Sequence, residues 1–199
     1  KKFGKVIVLE DDLITSPYFL NFMNDALEFY ESNKDIGSIT GFSYPLKING
    51  NYSYGSYLYP RSSSKSWAIW QDVWEDIEFD ENEIIRKWTL TNIETKILPY
   101  GKDLIRMFRS QMLQNIDSWA VRFAINQIML DRYTVYPFES YVTDIGGDSG
   151  VHSDNCLPHK VKISNKIAVN FNNVYDKKIG YSYQKYLMIY FIKSKVHLL

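Results

Sequence analysis

The first third of the chain has the apolar pattern of a strand, a helix and a second strand. Lys5-Val6-Ile7-Val8-Leu9 is a short apolar run of the kind that makes a strand buried on both faces, and it ends abruptly in Glu10-Asp11-Asp12. Ser16-Pro17 then offers an N-cap serine and a proline suited to the first helical position. Phe19, Leu20, Met23, Leu27 and Tyr30 follow at helical spacing, which predicts a helix over 17–31. Residues 35–42 predict a second strand after a crossover, making a βαβ unit and an α/β fold.

Beyond Ser43 the pattern is less regular. Tyr, Ser, Gly, Asn and Pro dominate 43–66, and alternation over 51–59 suits an irregular hairpin or loop. Trp67, Trp70 and Trp74 stand at i, i+3 and i+7, which predicts one face of a helix. Further helices are predicted over 82–88, 101–114 and 117–130, then a strand over 133–137 and a glycine-rich segment over 144–153. The tail from Lys160 shows strand-like alternation, an asparagine cluster at 170–173 and a basic, aromatic end. Repeats and low-complexity linkers are absent from the sequence, and one domain over 1–199 is expected.

Composition narrows the function classes. Twenty-three basic and 23 acidic residues cancel, so no global field attracts nucleic acid. One cysteine, Cys156, allows no internal disulfide and suits a reducing compartment. The longest apolar stretch near the C-terminus, 186–192, falls short of the ~18 residues a membrane span requires. A cytoplasmic protein, peripheral to the membrane at most, is expected. Aromatics make up 16% of the chain, and they serve equally well as core and as stacking surfaces for sugar rings.

Glu10-Asp11-Asp12 places three carboxylates where a buried strand ends. Such acids repel unless a cation sits among them, and a hard divalent ion takes oxygen ligands while leaving positions open for a diphosphate. An acidic turn leading into the following helix is the simpler alternative.

The order of motifs resembles the GT-A glycosyltransferases, especially those similar to N-acetylglucosaminyltransferase I and related bacterial polysaccharide enzymes. Val8-Leu9-Glu10-Asp11-Asp12 with Ser16-Pro17-Tyr18-Phe19 looks like the family's strand, acidic metal motif and following helix. Ser66-Trp67-Ala68-Ile69-Trp70 with Trp74 is similar to its tryptophan-rich acceptor-side segment. Asp117-Ser118-Trp119-Ala120-Val121-Arg122 resembles the stretch carrying the catalytic base, and 144–152 resembles the loop that closes over the donor sugar. The likeness covers 1–155 and leaves 156–199 as a C-terminal extension.

The resemblance implies a mixed sheet flanked by helices, and inverting transfer from a nucleotide-sugar donor to a carbohydrate acceptor with Mn²⁺ or Mg²⁺. It makes Asp12 the metal ligand and Asp117 the general base. Glu10, Asp11, Gly146, Gly147, Ser149 and His152 would contact the donor, and Trp67, Trp70 and Trp119 the acceptor. Arg122 is expected to be structural or to pair with Asp117, and Trp119 is equally at home in a core.

Such a domain has further strand–helix units before its acidic motif, holding the nucleotide base. Only nine residues precede Glu10 here, so a fragment is expected, with the opening strand exposing an edge through which copies could associate. Two alternatives stand beside this reading. A glycoside hydrolase would pair Asp12 or Glu10 with Asp117 as acid and base. A noncatalytic carbohydrate-binding module would use the tyrosine-rich loop.

Overall fold

The computed structural model describes residues 3–46, 55–145, 161–167 and 170–196. The architecture is mixed α/β. Strands β1 (Lys5–Val8), β3 (Ile36–Thr40), β4 (Ser56–Tyr59), β5 (Trp67–Trp70) and β6 (Tyr133–Pro137) form one sheet in the order β1-β5-β3-β6-β4. The β3–β6 pair is parallel, while β5 runs antiparallel to both of its neighbours and β4 antiparallel to β6. Strands β1, β3 and β6 therefore all point one way. A separate ribbon pairs β2 (Leu13–Thr15) with β7 (Val142–Asp144).

Helix α1 (Phe19–Phe29) forms within the predicted 17–31 and buries Phe19, Phe22, Met23, Ala26 and Leu27. That spacing keeps one face against the sheet. Its N-cap is Tyr18 rather than Ser16, whose Oγ accepts from the Tyr18 N–H in the turn before the helix, and Pro17 precedes the first helical position. The crossover from β1 through α1 to β3 exists, but β5 inserts between the two parallel strands.

Three further expectations are corrected. The opening strand is not buried on both faces: among the described residues β1 pairs only with β5, and Val6 is exposed. Trp67–Trp70 is a strand rather than helix, followed by the short α2 (Gln71–Glu75). Its four residues are all buried between two neighbouring strands, a burial that overrides the helical spacing of its tryptophans. The tail carries α7 (Lys177–Val196) rather than strand pieces. Ile179, Tyr183 and Leu187, at i, i+4 and i+8, dock it against Tyr57, Tyr59 and Tyr136 of β4 and β6.

Helices α3 (Glu81–Trp88), α4 (Leu90–Ile97), α5 (Lys102–Met112) and α6 (Trp119–Met129), with a 3-10 turn at Leu98–Tyr100, enclose a second core around Ile84, Ile93, Ile97, Phe108 and Ile125. Among the described residues no helix is long and apolar enough to cross a membrane.

Candidate functional site

The acids gather where β1 ends. After Val8 the chain turns through Glu10-Asp11-Asp12 into β2, and the β2–β7 register sets Asp144 opposite Leu13. The Ile145 N–H donates to the Asp12 carbonyl at 2.9 Å, which fixes the neighbouring chains. Lys65 forms an ion pair with Asp144, and its Nζ lies 5.3 Å from the centroid of the Phe42 ring. The Glu10 carboxyl is held above its ordinary range, first by the chain packed around it, then by Asp12, with Asp144 and Asp11 adding and Lys65 opposing. Among the described residues, Asp12, Asp144 and Asp11 thus crowd Glu10 with like charge, and Lys65 partly offsets them.

Local backbone geometry aims Lys65. Thr40 Oγ1 donates to the Lys65 carbonyl at 2.9 Å, and the Gly41 N–H donates to the Ser66 carbonyl at 2.9 Å. Ser66 adopts φ +48°, an uncommon conformation outside glycine that turns the chain into β5. A Cβ on Gly41 would lie 2.6 Å from the Phe19 ring, so only glycine lets β3 leave this close to α1.

Asp117 sits just ahead of α6 with an exposed carboxylate. Arg122 Nη1 donates to Asp117 Oδ1 at 2.8 Å and to Glu81 Oε1 at 2.6 Å, so the expected Asp117–Arg122 pair is present. Burial opposes the charge on Arg122, but Glu81 and Asp117 outweigh it and raise its pKa. Burial likewise pushes Glu81 up, while hydrogen bonds from Gln111 and Arg122 prevail and leave it below its ordinary value. Asp80 caps α3, accepting from the Asn82 and Glu83 N–H groups, and thereby places Glu81 in the first helical turn.

A chain of contacts joins the two groups. Val8, two residues before Glu10, is the cross-strand partner of Trp67. The Trp67 ring lies 5.2 Å from that of Trp119, two residues after Asp117. Lys65 and Trp119 also line one pocket of about 180 Å³ together with Tyr44, Arg61 and Ser63. Acids, lysine and the start of α6 therefore occupy the same side of the domain, at the end towards which β1, β3 and β6 point.

The tryptophans divide. Trp70 is buried and donates its indole N–H to the Leu27 carbonyl at 3.2 Å, which spends its polar edge inside the core. Trp67 is buried against Trp74, Trp119 and Phe123. Trp119 lines the pocket of about 180 Å³. Gly146, Gly147, Ser149 and His152 lie outside the described residues.

Among the described residues no group of three or more His, Cys, Asp or Glu side chains is arranged to hold a metal ion. The crowding of Glu10 by like charges nevertheless suits a cation that completes its oxygen shell from elsewhere. Lys65, Glu81 and Gln111 had no sequence signal, and Asp144 had one only as the start of the donor loop, since the partners of these residues stand 30 to 79 residues away. No family model matches the chain, and no curated protein matches it.

Proposed function

We propose that the chain is the acceptor-side part of a GT-A glycosyltransferase that moves a sugar, with inversion, from a nucleotide diphosphate donor to a carbohydrate acceptor. The observation that carries this reading is the contact path from the acids after β1, through Val8, Trp67 and Trp119, to Asp117. It supports reading the acids as an anionic anchor and Asp117 as a carboxylate base of one site.

Asp12 would hold a Mn²⁺ or Mg²⁺ ion through its carboxylate, an oxygen ligand of the kind such hard cations take. Such an ion would supply Lewis-acid stabilisation of the diphosphate leaving group. Glu10 and Asp11 flank it and accept from donor hydroxyls. Lys65, paired with Asp144 beside these acids, supplies a cation for phosphate oxygens. Asp117 takes the proton of the attacking acceptor hydroxyl as the new glycosidic C–O bond forms and the bond to the diphosphate breaks. Arg122 orients that carboxylate, and Trp119 offers a ring face beside it.

Asp117→Asn in the full-length protein tests the assignment. The amide keeps the shape but takes no proton, so turnover should fall roughly 10²-fold or more with nucleotide binding intact. Turnover near wild type would remove Asp117 as the base.

A further inference from the structure

Helix α7 is apolar on two sides, of which the sheet uses one. Ile179, Tyr183 and Leu187 are buried against the tyrosines of β4 and β6. Lys177, Tyr181, Lys185 and Met188, at i, i+4, i+8 and i+11, lie on the other side with Lys178 and Ile189 beside them, and all six are exposed. Tyr181 is 69%, Met188 59% and Ile189 41% exposed. A helix that only covers a sheet is polar on its outer face. Large apolar side chains scattered singly over a surface are ordinary, but three on one helix face form a patch of the kind that interaction sites use. Gln184 donates its side-chain amide to the Pro99 carbonyl, which sets the turn carrying the exposed Leu98 against the same helix.

Charge selects the partner. Residues 177–196 hold five lysines and no acidic residue. The remainder of the chain has 18 basic against 23 acidic residues, an excess of five negative charges in a protein whose formal charge is zero. Among the described residues Lys177, Lys178 and Lys185 enter no ion pair. Such a separation turns the helix towards an anionic surface and the acidic remainder away from it. A nucleic acid would answer the lysines and leave Met188 and Ile189 in water. An anionic bilayer answers both, because its phosphates lie level with the ammonium groups and its acyl chains begin just beneath. Tyrosine suits that boundary, with an apolar ring and a wet hydroxyl. Lysines along the face hold the helix in the interface plane rather than across the bilayer.

We propose that α7 is an interfacial anchor that seats the protein on an anionic lipid bilayer, with Lys177, Lys178 and Lys185 at the headgroup phosphates and Tyr181, Met188 and Ile189 entering the acyl boundary. The buried face keeps the helix on β4 and β6, so the whole domain is held at the surface. The proposal stands apart from the transferase reading, since no residue of α7 belongs to that site.

Co-sedimentation of the full chain with vesicles tests it, using phosphatidylcholine alone and a two-to-one mixture of phosphatidylcholine and phosphatidylglycerol. The protein should bind the mixed vesicles at least tenfold more tightly. Raising NaCl from about 0.1 M to about 1 M shortens the screening length from about 10 Å to about 3 Å and should remove most of that difference. Each lysine near an anionic surface strengthens binding about fivefold, so Lys177→Gln/Lys178→Gln/Lys185→Gln should bind mixed vesicles about 100-fold more weakly. Met188→Ser/Ile189→Ser keeps every charge and should bind them about tenfold more weakly through lost apolar burial. All five substituted residues are exposed, and circular dichroism should show the helix content of both variants unchanged.

Failure to bind mixed vesicles, equal binding to the two kinds, or undiminished binding of either variant would overturn the proposal. A duplex DNA oligonucleotide bound as tightly as the mixed vesicles, and released by the lysine variant alone, would assign the face to nucleic acid and overturn it equally.

Discussion

Arg61 and Asp103 give the sharpest test of how the site wall is held. Arg61 follows β4 and lines the pocket shared by Lys65 and Trp119, while Asp103 stands in the first turn of α5. Arg61 Nη2 donates to Asp103 Oδ2 at 2.6 Å, and the two side chains are only 16% and 10% exposed. Burial disfavours the Arg61 charge, but the hydrogen bond and attraction from Asp103 dominate and raise its pKa. Among the described residues its buried Nη1 has no hydrogen-bond partner. The pair is pressed onto Gly101, where a Cβ would sit 2.5 Å from Asp103 Oδ1 and 2.7 Å from Arg61 Nη1, at a φ of +140° that favours glycine.

Asp103→Ala strands that guanidinium in the interior. Removing one member of a buried pair costs about 3–5 kcal/mol, and the residual exposure argues for the lower end, about 3 kcal/mol. For a chain of this size that corresponds to a fall in Tm of about 6–12 °C. Urea denaturation followed by tryptophan fluorescence reads the difference. Arg61→Leu/Asp103→Leu, which removes both charges, should be more stable than Asp103→Ala. A cost below about 1 kcal/mol for Asp103→Ala, or a double variant less stable than it, would refute the reasoning.

Two smaller perturbations follow from the same geometry. Asp80→Ala removes the cap on α3 and should cost about 1 kcal/mol in the same denaturation assay, with a loss under a few tenths showing that solvent replaces the cap. Glu81 has a folded-state pKa below its unfolded value, so its contribution to stability is present above the unfolded pKa and is lost as pH falls through the folded one. Glu81→Gln should therefore flatten the acid limb of a Tm-versus-pH curve below about pH 4.5; an unchanged limb would contradict the assignment.

The sequence was a good guide where one element dictated its own pattern. Residues 133–137 were readable as a strand because a turn and a proline bound a β-rich run, and Tyr133–Pro137 forms it. Helix α1 was readable because most of its apolar residues serve one face, with Leu20 and Phe29 left exposed. Trp67, Trp70 and Trp74 misled because a strand followed by a one-turn helix can bring the first and third rings together: Trp67 and Trp74 stack at 5.6 Å. Residues three apart on a strand face opposite sides, so Trp67 meets Trp119 and Phe123 of α6 while Trp70 reaches Leu27 of α1. Both sides of β5 are covered, which no local pattern reveals.

The tail was misread because Tyr, Ile and Phe favour strands, although Ile179, Tyr183 and Leu187 already carried the helical period. At the site, the acids after β1 and the Asp117–Arg122 pair were legible from local chemistry. Lys65 stands at the end of a serine run, and Asp144 only becomes its partner through the β2–β7 ribbon. Long-range pairing of that sort leaves no trace in spacing.

The central claim is that Asp12 and its neighbours anchor a metal–nucleotide complex, and calorimetric titration of UDP and GDP measures it most directly. With Mn²⁺ present, one of the two nucleotides should bind at least tenfold more tightly than without it, and Asp12→Ala should remove that gain while leaving the fold intact by circular dichroism. Binding that ignores both Mn²⁺ and Asp12→Ala, or no binding of either nucleotide, would contradict the account.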